Sequence, residues 1–379
     1  MKRNNRNLCI DIIKGIGIFL MVYRHCRGPF SEIVLLFHMA IFFIASGYLY
    51  DGKKCETLSN VCNYTKRKIK GLWFPYVCAN VLFLLLNNFF VSVSIYTDNI
   101  KFLQHTELEY VKVSQMLGLE DVIIRSFKCG LLLEDTQLGG ALWFLRTLLI
   151  VSISYGAIDY ILRNKSRKLL YQGVFSCLLL IISYFLSKFD ISLHGFSNVF
   201  STFFLYWLGV LIKKKNLMEH MYEKHIQMVL FFASVLSIFI GYNVGYISIV
   251  DNKICNPLYF VWMSLSGWFF LYIVANYIQI RFKKIGILFS IFSIYSIWIV
   301  IFHFLSFKLI TQLIIWKYGL EQYMLAAFPV LNTNGFWWFF YLIVGIGIPI
   351  VLGIFYTKIK RAMILYLDER KRLKNREEL

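Results

Sequence analysis

Apolar residues run along this chain in stretches of about 20, separated by short clusters of Lys, Arg, Asn and Asp. In helical form such a stretch spans a hydrocarbon core of roughly 30 Å. The stretches are continuously apolar and lack the alternation of a membrane strand. Each is therefore read as a helix that satisfies its own backbone. The spacing predicts ten helices, near residues 8–26, 31–50, 71–95, 141–162, 169–187, 196–212, 226–247, 256–279, 285–309 and 335–357. The fold class expected is all-α, a polytopic membrane helix bundle. Between the helices, 96–140 is the longest external connection. It carries VIIRSFKCGLLLEDTQLGG, amphipathic enough to lie at the interface or re-enter the membrane. The 310–334 connection, with Trp316, Tyr318 and Tyr323, suits the aromatic-rich outer interface. The closing DERKRLKNREEL reads as a solvated helical extension. The expected organisation is a membrane domain over 1–357 and a charged cytoplasmic tail over 358–379.

Composition agrees with this picture: 58% of residues are hydrophobic, 18% aromatic and only 16% charged, which excludes a soluble domain. The net charge of +19 would suggest nucleic acid in a soluble protein. Here it follows from topology, and no nucleic-acid partner is expected. With the N-terminus inside, 28 of the 40 Lys and Arg fall on the cytoplasmic side, among them Lys2, Arg3 and Arg6, the 53–70 loop and the 358–379 tail. That asymmetry orients the bundle with both termini inside. The first apolar stretch follows a basic run but contains Asp11 and Lys14 and lacks a small-residue cleavage site, so it reads as a retained helix. The eight cysteines form no C-x-x-C pair and no metal spacing, and no metal is expected. A pair of Gly- or Pro-broken helices, the mark of many transporters, is not found.

Ionisable residues inside a membrane are costly and ask for a reason. The first helix carries Asp11, Lys14 and His25. Eleven residues make close to three helical turns, so Lys14 and His25 share one face about 16 Å apart along the axis. A cation toward the cytoplasm and an imidazole farther out suit an extended ligand with an anionic head and a reactive tail, such as an acyl-CoA. Equally, Lys14 snorkels to headgroups and His25 bonds a neighbouring helix. Spacing alone does not choose. His38 in the second helix and His303 in the ninth lie at similar depth, where histidine also serves as contact between helices. Arg67 and Lys70, three apart at the cytoplasmic edge, are placed to hold phosphate or are ordinary loop charge. Trp143 opens the fourth helix beside Arg146, which needs an anionic partner; Glu134 and Asp135 are candidates.

Together these segments resemble the integral-membrane acyltransferase family 3, including its bacterial sugar O-acetylases. CIDIIKGIGIFLMVYRHC followed by LLFHMAIFFIASGYLY resembles that family's opening helix pair. Its basic residue, ten-residue gap and histidine fall on Lys14 and His25. Two cations three apart before an aromatic-Pro-Tyr fall on Arg67 and Lys70 ahead of FPY. The LWFL segment at 142–145 and the late segment ending at His303 also fit. Lys14 and Lys70 stand where the family commonly has arginine, Ala40 where it has proline, and Arg24 where a small residue is common. The resemblance implies a multi-pass protein of the bacterial cytoplasmic membrane that moves an acetyl or other acyl group from cytoplasmic acyl-CoA to a hydroxyl. The acceptor it implies is a glycan or lipid-linked sugar of the cell envelope. By the same resemblance Lys14, Arg67 and Lys70 hold the CoA phosphates, His25 is the general base and His38 orients it or stabilises an oxyanion. Trp143, Arg146, His303 and Asp11 belong to the substrate pocket. A polysaccharide flippase or a glycan polymerase would use similar intramembrane charges.

Overall fold

In the computed structural model, α1 (Leu8–His25) begins where the Asn7 side chain accepts from the Ile10 amide at 3.3 Å, capping the first turn. The structure describes residues 7–98, 114–218, 223–331 and 335–377. The basic residues Lys2, Arg3 and Arg6 lie outside the described residues, as do 99–113 of the long connection, 332–334 and the last two residues of the tail.

Eight helical spans among the described residues are long and apolar enough to cross a membrane: Ser31–Tyr48, Leu58–Leu85, Gly140–Ile161, Lys168–Lys188, His225–Val244, Pro257–Arg281, Ser296–Tyr318 and Trp337–Leu367. The chain is thus an all-α membrane bundle. Its only strands among the described residues are a two-residue antiparallel pair, β1 (Ile247–Ser248) and β2 (Lys253–Ile254). The other two expected segments also form helices. These are α1, which carries Asp11, Lys14 and Arg24, and α10 (Asn198–Lys214), which has 17 residues.

Three expected helices are divided or displaced. The second is broken at Phe37 (φ −141°, ψ −23°) into α2 (Ser31–Leu35) and α3 (His38–Tyr48). The third starts earlier. Thr57 caps α4 (Leu58–Lys68), a π turn (Ile69–Trp73) follows, and α5 (Phe74–Leu85) continues the rod, so Lys66 to Lys70 are helical and not loop. The ninth is a pair, α13 (Lys283–Ile294) and α14 (Ser296–Tyr318), meeting at Tyr295. Because α14 runs to Gly319, which ends it in the left-handed conformation at φ 62°, Trp316 and Tyr318 of the expected connection are helical residues. Within the long connection, α7 (Leu119–Gly130) is amphipathic and exposes Leu119, Ile123, Ile124 and Phe127. At the other end α15 (Trp337–Glu377) carries the last membrane span into the basic tail without a break.

α1 is central, packed on α3, α12 (Pro257–Arg281) and α13. α3 crosses α10 in backbone contact. A Cβ on Gly47 would collide with the Tyr206 carbonyl, and one on Gly209 with the Ile44 carbonyl. In lipid, where apolar burial drives helix association little, such close crossings supply the packing energy. The short α6 (Asn87–Ser92) follows α5, and α8 (Trp143–Ile161) is enclosed, whereas α9 (Lys168–Lys188) turns Leu178 and Phe185, and α11 (Lys224–Val244) Val229, Phe232, Leu236 and Phe239, outward, as lipid-facing helices do.

Candidate active site

Lys14, Ile18, Met21 and His25 recur on α1 at the spacing of one helix face. Ile18, Met21 and His25 line a cavity of about 1040 Å³. Lys14 continues the stripe one turn below its wall. His25 is the last residue of α1, where Arg27 turns left-handed (φ 54°) and takes the chain away.

Across the cavity, His38 occupies the first turn of α3 and is buried. Its Nδ1 donates to the Val34 carbonyl at 2.8 Å. A carbonyl only accepts, so Nδ1 carries the hydrogen, and in the neutral ring Nε2 is left as an acceptor. Trp143, Phe144 and Arg146 come from the start of α8. The Arg146 guanidinium meets Asp135 Oδ2 at 3.1 Å, donates to the Leu132 and Gly195 carbonyls at 3.3 and 3.2 Å, and lies 5.2 Å from the Phe196 ring centre. Of the two candidate partners, Asp135 is therefore the one that pairs; Glu134 pairs with Arg125. Asn80 of α5 holds the adjoining loop, its Oδ1 accepting from the Thr136 amide and hydroxyl, both at 2.9 Å. A second cation on the wall, Arg24, pairs with Glu32 at 3.1 Å.

His303 does not line the cavity. It stands behind His25, fully buried, with ring centroids 5.4 Å apart. Asp11 lies at the opposite end of α1, on α13, where Ser293 Oγ donates to it at 3.5 Å. Arg67 and Lys70 are exposed at that same end, and Arg67 Nε donates to the Asn63 carbonyl at 3.2 Å. The inward-facing cation there is Lys68. It shares a face with buried Tyr64 four residues earlier, lies 5.4 Å from that ring's centre, and feels the charges of Lys54 and Lys14. No group of three or more His, Cys, Asp or Glu able to hold a metal occurs among the described residues.

The model of the family described as an acyltransferase domain, Acyl_transf_3, matches residues 7–356. The chain belongs to the acyltransferase 3 family. No curated protein and no solved structure matches it. This acyltransferase 3 protein is a multi-pass membrane acyltransferase. Its sequence motifs bring His25, His38, Trp143 and Arg146 to one cavity, set His303 directly behind His25, and leave Asp11, Lys14, Arg67 and Lys70 toward the other end of α1. Other wall residues carried no motif signal: Ser248 to Asp251 of the short hairpin, and Phe328 with Pro329. The latter segment is secured by Lys308 of α14, fully buried, whose Nζ donates to the Leu325 and Ala327 carbonyls at 2.9 and 2.7 Å. A lysine inside an apolar helix was a legible signal of that anchor.

Proposed function

We propose that this acyltransferase moves an acetyl or similar acyl group from cytoplasmic acyl-CoA to a hydroxyl of a glycan or lipid-linked sugar of the cell envelope. The protein would sit in a bacterial cytoplasmic membrane with both termini inside. The observation that carries the reading is the α1 stripe. Its imidazole faces a cavity that Met21 and Ile18 also line, and Lys14 continues the same helix face one turn farther, an arrangement that suits an extended ligand with an anionic head and a reactive tail. Lys14, with Lys68 within electrostatic reach of both it and Lys54, and Arg67 and Lys70 exposed at the same end, supplies cations for the CoA phosphates. Lysine serves there as a point charge and gives up the bidentate grip of arginine.

His25 acts as general base. It takes the proton of the acceptor hydroxyl as that oxygen attacks the thioester carbonyl, a role for which imidazole is suited. The carbon–sulfur bond breaks, the ester forms, and the departing thiolate takes the proton back from the imidazolium. The products are the ester and free CoA thiol. Neutral His38, with its Nδ1 hydrogen committed to Val34, offers an acceptor lone pair. That suits orienting the acceptor hydroxyl and does not suit stabilising an oxyanion. Trp143 supplies an apolar face for a sugar ring, and Arg146, neutralised by Asp135, lends hydrogen bonding without net charge.

The test uses purified protein in nanodiscs with acetyl-CoA, following saturable binding and slow release of CoA thiol to water. Wild type should do both. His25→Ala should bind and not turn over, and Lys14→Ala should bind at least tenfold more weakly, in a salt-dependent way. Absence of binding by a folded wild-type sample would reject the donor assignment.

A further inference from the structure

A buried acceptor atom stands without a partner directly behind the proposed base. His303 Nδ1 donates to the Ile299 carbonyl at 2.8 Å, and a carbonyl cannot return a hydrogen. In the neutral ring the Nε2 of His303 therefore carries a lone pair. That atom is buried and has no hydrogen-bond partner. An orphaned buried acceptor in a native interior asks for an explanation. Among the described residues, three rings neighbour His303: Phe304 at 3.9 Å, Phe307 at 5.6 Å and His25 at 5.4 Å. Of these, His25 alone carries an N–H. Two imidazoles joined nitrogen to nitrogen by a bond of about 3 Å have ring centres a little over roughly 5 Å apart. The His25 and His303 centres stand 5.4 Å apart with the planes tilted by 32°, a separation that admits such a bond.

His38 differs in one respect. It bonds the carbonyl four residues earlier in the same way, yet it lines the cavity, where an acceptor substrate or water can meet its free nitrogen. His303 is walled off from the cavity, so the ring it can serve is His25.

We propose that His303 is a positioning residue. Its Nε2 accepts the N–H of neutral His25, which fixes the tautomer and turns the other His25 nitrogen, with its lone pair, toward the acceptor hydroxyl. The inference rests on His25 being the base. It assigns to a neutral imidazole the orienting duty that a carboxylate performs in serine hydrolase triads. The substitution has a physical reason. A carboxylate would bring a further charge into the buried, apolar interior, which is costly there, whereas a neutral ring orients the base without one. Once His25 has taken the proton, its bond to His303 becomes charge-assisted and strengthens during the reaction step. His303 keeps its own protonation state throughout, and the proton moves only from the hydroxyl to His25 and on to the thiolate.

The experiment uses the full chain in nanodiscs and compares wild type, His303→Leu, His303→Gln and His25→Ala. It reads acetyl-CoA turnover and the ¹⁵N spectrum of histidine-labelled protein, with the His25 signals assigned by their loss in His25→Ala. His303→Leu should lower kcat about 100-fold, within the range for general base catalysis, and leave KM for acetyl-CoA within twofold. His303→Gln, whose amide oxygen accepts, should recover at least tenfold of that loss. Wild-type His25 should show a single neutral tautomer, and the leucine variant a mixture. A mixture already in wild type overturns the proposal whatever the variants do. So does a kcat for His303→Leu within threefold of wild type while His25→Ala is inactive, or equal loss in leucine and glutamine variants with the tautomer unchanged. Full activity of His25→Ala would reject the base itself, and the positioning role with it.

Discussion

Asp135→Asn removes the charge that faces Arg146 across 3.1 Å, at a pair whose side chains are only 20% and 7% exposed. At an effective dielectric near 20, two charges at that distance attract by about 5 kcal/mol. Desolvating each ion costs several kcal/mol, so the intact pair adds little net stability, while breaking it strands the arginine. Two carbonyls, of Leu132 and Gly195, remain to hold the guanidinium. They offset part of the loss, and the single variant should be destabilised by about 3 kcal/mol. For a chain of this size that lowers the unfolding midpoint by on the order of 5 °C. Asp135→Asn combined with Arg146→Met removes the stranded charge as well and should recover at least half of the drop. The assay is thermal unfolding of the purified protein in one detergent, read by loss of the monodisperse peak and by intrinsic fluorescence. A double variant no more stable than Asp135→Asn would refute the reasoning, because the two charges would then not be compensating one another.

Gly209→Ala drives a Cβ into the Ile44 carbonyl and should abolish recovery of folded protein, whereas Gly347→Ala, whose Cβ would meet nothing within 4 Å, should be neutral; comparable yields of both would contradict the α3–α10 crossing. Lys308→Met leaves the Leu325 and Ala327 carbonyls without a donor, and amide exchange across 322–331 should rise at least tenfold; unchanged protection would show that the segment is held by something else. Burial, with Glu134 and Asp135 nearby, pushes the Cys129 thiol up to about 12, so maleimide should leave it unmodified near neutral pH while exposed Cys62, near the start of α4, reacts. With single-cysteine variants, an impermeant maleimide added outside intact cells should reach Cys255 and spare Cys62 if the N-terminus is inside; the reverse pattern would invert the bundle.

The helices were legible because each must hide a continuous apolar run, a signal that needs no tertiary knowledge. Their breaks were not. Phe37 and Tyr295 sit in apolar sequence with no Gly or Pro to announce an interruption, and only packing against neighbours divides the helices there. The start of the third helix was misjudged because Lys66 to Lys70 look like loop charge, although Tyr64 and Lys68, four apart, mark an inward face. The motif-bearing side of the cavity was legible because costly residues stand out in apolar helices, as His25, His38 and Arg146 do. Where such a residue points was not: Asp11 turns onto Ser293 of α13, and His303 packs behind the cavity wall. Phe328, Pro329 and the 248–251 hairpin come from connections without periodicity, so nothing local foretold that they would close the site.

The most direct test of the central claim follows the acyl group from donor to acceptor. Inside-out membrane vesicles carrying the protein and its native envelope glycan are supplied with acetyl-labelled acetyl-CoA on the exposed cytoplasmic face. Label is then measured on the glycan as hydroxylamine-labile ester. The account requires ester to accumulate with wild type in step with release of CoA thiol, and to fall to background with His25→Ala at equal protein level. Ester formation undiminished in His25→Ala, or CoA release with no labelled glycan under any condition, would contradict it.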